Sequence, residues 1–184
     1  MFRTRLYLKG ISEIVGNIEM SIIVLVDENQ ERQLSIVCDK QTEYQISLRM
    51  SGLNITQKMV PEVLLGMIRK IGDYRLELII NTVSDGGYNA LLVNKDTMDV
   101  VSMRACDAVL LSLIGNIPLF VDELLMARQS VPFREDAKGM AIPVNVLDEN
   151  MLTKALEKAV EEENYELASH LRDELKRRKI PSSR

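Results

Sequence analysis

The apolar residues of this chain change their period near its C-terminal end. In roughly the last forty residues they recur as helical stripes. Leu152, Ala155, Leu156, Ala159 and Val160 fall at i, i+3, i+4, i+7 and i+8. Leu167, Ala168, Leu171 and Leu175 make a matching stripe, and Asn164 marks a turn between the two. Each helix is about three turns long, too short to be stable alone in water. The stripes must therefore pack on one another. One helical pair buries little, so a second copy or a partner helix is its natural supplement.

The residues before this hairpin have a different pattern. Arg3 to Lys9 and Asn17 to Val26 read as strands, the second with the apolar run Ile22-Ile-Val-Leu-Val26 of a central strand. Asp27 to Glu31 is a polar turn, and Gln33 to Cys38 pairs back as another strand. Asp39 to Met50 is ambiguous. Tyr44, Ile46, Leu48 and Met50 alternate as in a strand, whereas Asp39 could cap a helix of good helix formers.

Pro61 to Ile71 predicts a helix with Pro at its start and Gly72 after its end, its apolar face made by Val63, Leu64, Met67, Ile68 and Ile71. Arg75 to Val83, Tyr88 to Asn94 and Met98 to Met103 predict an antiparallel meander. A short apolar helix follows over Asp107 to Ile114, then a strand over Pro118 to Val121. Asp122 is expected to cap a last helix through Gln129. Ser130 to Leu147 contains Pro132, Gly139 and Pro143 without periodicity and reads as a linker.

The expected fold class is α+β: a mixed, largely antiparallel sheet with packed helices, followed by a small C-terminal α-helical hairpin. The expected domains are 1–130, a linker over 131–147 and the hairpin over 148–180.

Composition narrows the chemistry. The one histidine, His170, lies in the tail. A body without histidine excludes Ser-His-Asp and Cys-His nucleophilic schemes and histidine-based metal sites. Cys38 and Cys106 have no metal-ligand or redox spacing and read as buried thiols. A net charge of -4 argues against a general nucleic-acid trap, although a local basic patch or bridging metal ions would serve. There is no apolar run of membrane-spanning length and no signal-peptide-like start, so a cytoplasmic location with no membrane partner is expected.

Three places could carry chemistry. Asp85, in Ser84-Asp-Gly-Gly87, is either a hairpin-turn residue or a carboxylate presented at a sheet end to a divalent cation. In Arg104-Ala-Cys-Asp107, Asp107 either caps the following helix and pairs with Arg104, or holds a metal or an attacking water while Arg104 holds a phosphate. Glu43 reads as one polar side chain among many, solvated by default. The basic run Lys176-Arg-Arg-Lys179 complements a helix C-terminus or contacts an acidic partner.

At these residues the body resembles the bifunctional nuclease family, found in bacteria and plants and associated with DNase and RNase activity. The matching stretches are Gln33-Leu-Ser-Ile-Val-Cys-Asp-Lys-Gln-Thr-Glu43, Asp85-Gly86, Arg104-Ala-Cys-Asp-Ala108 and Ile117-Pro-Leu-Phe-Val121. Together they span most of residues 1–130. The resemblance implies that the Glu43 segment opens a helix over 41–50. The family usually has Arg-Pro-Ser-Asp-Ala where this chain has Arg104-Ala-Cys-Asp-Ala108, so the charged pair is kept and Pro-Ser is lost. Tyr44 also stands where a small residue is usual.

The tail is similar to the UVR motif of excinuclease subunits B and C, through Ala159, Glu163, Tyr165, Glu166, Ala168, Leu171, Arg172, Asp173 and Leu175. That similarity implies a hairpin that docks on another hairpin. Tyr165 and Leu171 would supply the apolar contact, and Glu166 and Arg172 flanking salt bridges.

The resemblances imply a nuclease using Mg²⁺ or Mn²⁺, with Asp85, Asp107 and Glu43 as metal ligands. Arg104, Asp107 and Asp85 would be catalytic, nucleic acid the substrate, and a protein partner would dock through the hairpin. At least a homodimer is expected. The competing reading is a non-enzymatic oligomeric adaptor in DNA repair or stress response. A small-ligand-binding body is weaker, because no phosphate loop or dinucleotide fingerprint is present.

Overall fold

The computed structural model describes residues 2–14, 17–52, 54–84, 87–133, 149–161 and 165–179. The chain divides into two compact units, residues 1–140 and 141–184. The body contains β1 (Arg3–Ile14), β2 (Asn17–Asp27), β3 (Arg32–Asp39), α1 (Lys40–Met50), α2 (Val60–Ile71), β4 (Leu76–Ser84), β5 (Gly87–Asn94), β6 (Val100–Arg104), α3 (Ala105–Gly115), β7 (Leu119–Asp122), α4 (Glu123–Gln129) and β8 (Val131–Pro132).

The strands form one sheet in the order β6-β5-β4-β7-β1-β2-β3-β8. Every neighbouring pair is antiparallel except β4–β7. The sheet thus consists of two meanders, β4–β5–β6 and β1–β2–β3, joined by the short strand β7. The α+β expectation is met.

Local sequence accounts for most of these elements. Successive side chains of a strand point to opposite faces, and Ile22, Ile23, Val24, Leu25 and Val26 are all buried, so both faces of β2 are covered. In the β2–β3 turn, Asp27 Oδ1 accepts the backbone N–H groups of Glu31 (2.8 Å) and Arg32 (3.1 Å). Gln30 takes a left-handed φ of 54° there.

The ambiguous stretch after β3 is helical, as the family resemblance implies. Asp39 caps it by accepting the Thr42 N–H at 2.7 Å. Only Thr42 and Ile46, one helical turn apart, are buried, and Tyr44 and Met50 of the alternating set are exposed. Alternation here did not mark a strand.

Helix α3 begins two residues before the expected start. Ala105, Cys106, Ala108 and Val109 are all buried, and Arg104 occupies the N-cap position without a capping hydrogen bond from its side chain. Asp107 therefore does not cap α3 and sits inside its first turn. At the other end, a Cβ on Gly115 would come within 2.6 Å of the Leu65 side chain, so glycine permits the approach of α2 to α3. Asp122 caps α4 as expected, accepting from the N–H groups of Leu124 and Leu125. Val131 and Pro132 form an edge strand on β3 in a stretch with no periodicity to announce it.

The second unit contains α5 (Glu149–Glu161) and α6 (Tyr165–Lys179). Leu152, Ala159, Ala168 and Leu171 are buried together, with Leu156 and Leu175 packed against them. Two-stripe packing is thus seen, although Val160 lies outside the cluster and is exposed. The expected turn at Asn164 and the side chains of Ala155 and Leu167 lie outside the described residues.

Candidate functional site

Two helix starts converge on one arginine. Arg104 ends β6, where it pairs with Asn89 of β5 across the ladder. Its Nε donates to Asp107 Oδ2 at 2.7 Å and its Nη2 to Asp107 Oδ1 at 2.9 Å, a two-point contact. Its Nη1 donates to Asp39 Oδ2 at 2.9 Å, from a residue 65 positions away in the chain. The guanidinium thereby ties the cap of α1 to the first turn of α3. The Arg104 side chain is 61% exposed, so solutes reach it.

Beside it lies a second ion pair. Glu43 Oε2 accepts the Ser21 hydroxyl at 2.7 Å and faces Lys40 Nζ at 2.8 Å. Ser21 is placed by the β2–β3 register, opposite Cys38 and next to the Met20–Asp39 pair.

The charges are stabilised by these contacts. The Thr42 backbone N–H, then its hydroxyl and Arg104, hold the Asp39 carboxyl below its ordinary value. Lys40 and then Ser21 do the same for Glu43. Asp107 is the main reason the Arg104 guanidinium is held even more firmly protonated than usual. Burial pushes the Cys38 thiol up to about 12 and raises Cys106 as well. Both cysteines are therefore neutral at physiological pH and poor nucleophiles, and both are buried free thiols, as read from their spacing.

The two depressed carboxylates predict an acid-sensitive site. Folded Asp39 and Glu43 release their protons more readily than the unfolded chain does. As pH falls, the unfolded state binds protons first, so their stabilisation is complete above the ordinary values of 3.8 and 4.5 and is lost below them. The urea midpoint of the body should fall between about pH 5 and pH 3. Asp39→Asn combined with Glu43→Gln should flatten that dependence. An equally steep fall in the double variant would assign the acid sensitivity to other groups.

Of the expected body site residues, Arg104 and Asp107 are brought together directly. Glu43 lies on α1, the helix that Asp39 caps, engaged with Lys40 and Ser21. Asp85 lies outside the described residues. It follows Ser84, whose hydroxyl accepts from Asn89 Nδ2 at 3.0 Å, and Asn89 is the ladder partner of Arg104. Among the described residues, no three His, Cys, Asp or Glu side chains are grouped as a metal site. Asp107 and Glu43, two of the expected metal ligands, face Arg104 and Lys40 instead. The described donors do not by themselves fit a divalent cation.

Sequence reading missed Asp39 as a site residue and treated it only as a cap. It also missed Ser21 and Lys40. The Asp39-Lys-Gln-Thr-Glu43 stretch carried the signal, but only tertiary pairing reveals the link to Arg104.

In the second unit Tyr165 is exposed, which leaves its ring accessible. Leu171 is buried in the α5–α6 cluster with Leu152, Ala159 and Ala168. Arg172 Nε lies 3.6 Å from Asp173 Oδ1, and its Nη2 donates to Ser169 Oγ at 3.3 Å. The Glu166 side chain lies outside the described residues.

Among known families, residues 23–134 match the model of the bifunctional nuclease domain, and residues 151–179 match that of the UvrB/uvrC motif. No curated protein matches the chain. No helix among the described residues is long and apolar enough to cross a membrane.

Proposed function

The chain belongs to the bifunctional nuclease domain family, and we propose that its body hydrolyses phosphodiester bonds of DNA or RNA at the Asp39–Arg104–Asp107 constellation. The observation that carries this reading is the exposed guanidinium of Arg104, which two carboxylates hold at the starts of two helices.

A phosphate oxygen would replace one carboxylate on Arg104. The uncapped N-terminal turn of α3 adds a favourable field for the incoming anion. Asp107, released from its two-point contact, would accept a proton from the attacking water. The water oxygen bonds to phosphorus, the ester P–O bond breaks, and solvent protonates the leaving alkoxide. Arg104 would stabilise the charge that builds on the phosphoryl oxygens. Glu43 would hold the Lys40 ammonium at the start of α1, a second cation for the incoming anion. Mg²⁺ or Mn²⁺ is the cofactor that the family resemblance suggests, although the described donors do not by themselves fit it. The steps above run through the protein's own groups.

For the second unit, the match to the UvrB/uvrC motif supports docking of a protein partner that carries a similar helical pair, in a DNA-repair setting. Tyr165 and Arg172, both exposed, are the proposed contacts.

One observation favours a non-enzymatic adaptor instead. Both oxygens of Asp107 are engaged by Arg104, as in a structural brace. The deciding experiment is cleavage of labelled single-stranded DNA and RNA by purified protein, with Mg²⁺, with Mn²⁺ and with chelator, beside Asp107→Asn. Cleavage by the wild type that drops by roughly 100-fold in a folded Asp107→Asn supports the nuclease reading. No cleavage by the wild type in any arm would hand the body to the adaptor reading.

A further inference from the structure

The pairing of β4 with β5 is irregular at one residue. Ile80 stands opposite Ala90 and Thr82 opposite Asn89, so Asn81 is an extra residue in the ladder. A bulge of this kind bends its strand and re-aims a side chain. Asn81 lines an open hollow of about 500 Å³ on the sheet, together with Thr82, Asn89, Leu91, Ser102 and Arg104. That volume is ordinary for a small-ligand site. The amide oxygen Oδ1 of Asn81 is shielded from water and has no hydrogen-bond partner among the described residues. An acceptor in that state is costly and uncommon. The residue as a whole is half-buried, so a turn of its amide offers the oxygen to a donor in the hollow.

The neighbouring side chains have matching chemistry. Thr82, Asn89 and Arg104 form one row across β4, β5 and β6, and Leu91 stands opposite Ser102. Asn89 Nδ2 donates to Ser84 Oγ at 3.0 Å, a bond that does not use its amide oxygen. The hollow therefore combines two amide oxygens, two hydroxyls, the apolar side chain of Leu91 and the guanidinium proposed above to hold a phosphate. Neighbouring strands lie about 4.8 Å apart. The row from Arg104 to Thr82 thus covers the reach from a phosphate to the edge of its own base.

We infer that this hollow is a base-recognition subsite for an unpaired adenine or cytosine, the bases with an exocyclic amino group beside a ring acceptor. The amino group donates to Asn81 and Asn89, and the ring lies against Leu91. Asparagine amides suit the amino edge of adenine in this way. Thymine and uracil carry a carbonyl oxygen in place of the amino group and leave Asn81 without a partner. A site built to hydrogen-bond one group rejects the analogue that lacks it. Pairing in a duplex would occupy the same edge, so the subsite takes single strands.

Only the phosphate contact at Arg104 rests on the nuclease reading. The test uses the full chain with chelator present, and reads fluorescence anisotropy of labelled short strands of adenine, cytosine or thymine deoxynucleotides. The adenine and cytosine strands should bind about 10-fold tighter than the thymine strand. Asn81→Leu with Asn89→Leu should bring them down to the affinity of the thymine strand, with a urea midpoint showing that the body is folded. If that pair of changes unfolds the body, Asn89→Ala alone, at a half-buried position, should still reduce the preference. Arg104→Ala should weaken all three strands by a similar factor, as the loss of a phosphate contact does. Equal affinity of the wild type for the three strands, binding of none, or a preference that survives the asparagine changes would each overturn the inference. Cleavage without base preference would leave the nuclease reading standing and remove the subsite. Base preference in a protein that cleaves nothing would keep the subsite and remove the nuclease reading.

Discussion

Arg104→Ala is expected to reduce phosphodiester cleavage by about 100- to 1,000-fold, the usual cost of removing one preorganised group that meets developing charge. The body should stay folded. Arg104 is largely exposed and its ion pairs lie at the surface, where such pairs contribute little to stability. Arg104→Lys should recover only part of the rate, because an ammonium cannot make the two-point contact that a guanidinium makes. The measurement is kcat/KM on labelled single strands, with a urea midpoint for each variant. A variant that unfolds near the wild-type midpoint yet cleaves at the wild-type rate would remove Arg104 from the reaction. A midpoint that collapses in step with activity would make it the brace of the adaptor reading.

Leu171→Asp is expected to abolish the α5–α6 pair as a folded unit. Leu171 is almost fully buried in a cluster whose other buried members are Leu152, Ala159 and Ala168. Losing its packing and burying a carboxylate costs about 3–5 kcal/mol or more. Two short helices have little stability to lose. Circular dichroism should show the loss of the helical signal from Glu149–Glu161 and Tyr165–Lys179, while the cooperative unfolding of the body is retained. Any partner binding would vanish as well, for a reason that says nothing about where the partner sits. Tyr165→Ala separates the two effects, because its exposed ring can be removed with the pair intact. If Leu171→Asp kept full helicity, the buried cluster would not be what joins the helices.

Much of this molecule was legible because local physics dominates in its strands and caps. The run Ile22–Val26 reads as a strand buried on both faces and is one. The carboxylates of Asp27 and Asp122 sit where a turn and a helix start need acceptors. Both family resemblances rest on short stretches whose spacing survives substitution, and both are matched. Alternation at Tyr44, Ile46, Leu48 and Met50 misleads by itself, because it describes side chains of which only Ile46 is deeply buried. The first turn of α3 was read too late for a similar reason. Arg104 looks like a strand residue and Asp107 like a cap, whereas the buried Ala105 and Cys106 already belong to the helix.

The sequence by itself determined most element types, the change of apolar period near the C-terminal end and the charged residues available for chemistry. These follow from turn chemistry, capping and periodicity, which act over a few residues. The tertiary structure alone decided three further things. It set β7, four residues long, between β4 and β1, where it joins the two meanders. It turned the apolar stripe of α2 to solvent, because the ion pair at Glu62 and the contact at Gly115 hold the other side down. It brought Asp39 to Arg104 across 65 residues. Each depends on contacts between segments far apart in the chain, and such contacts leave no periodic trace in the segments that make them.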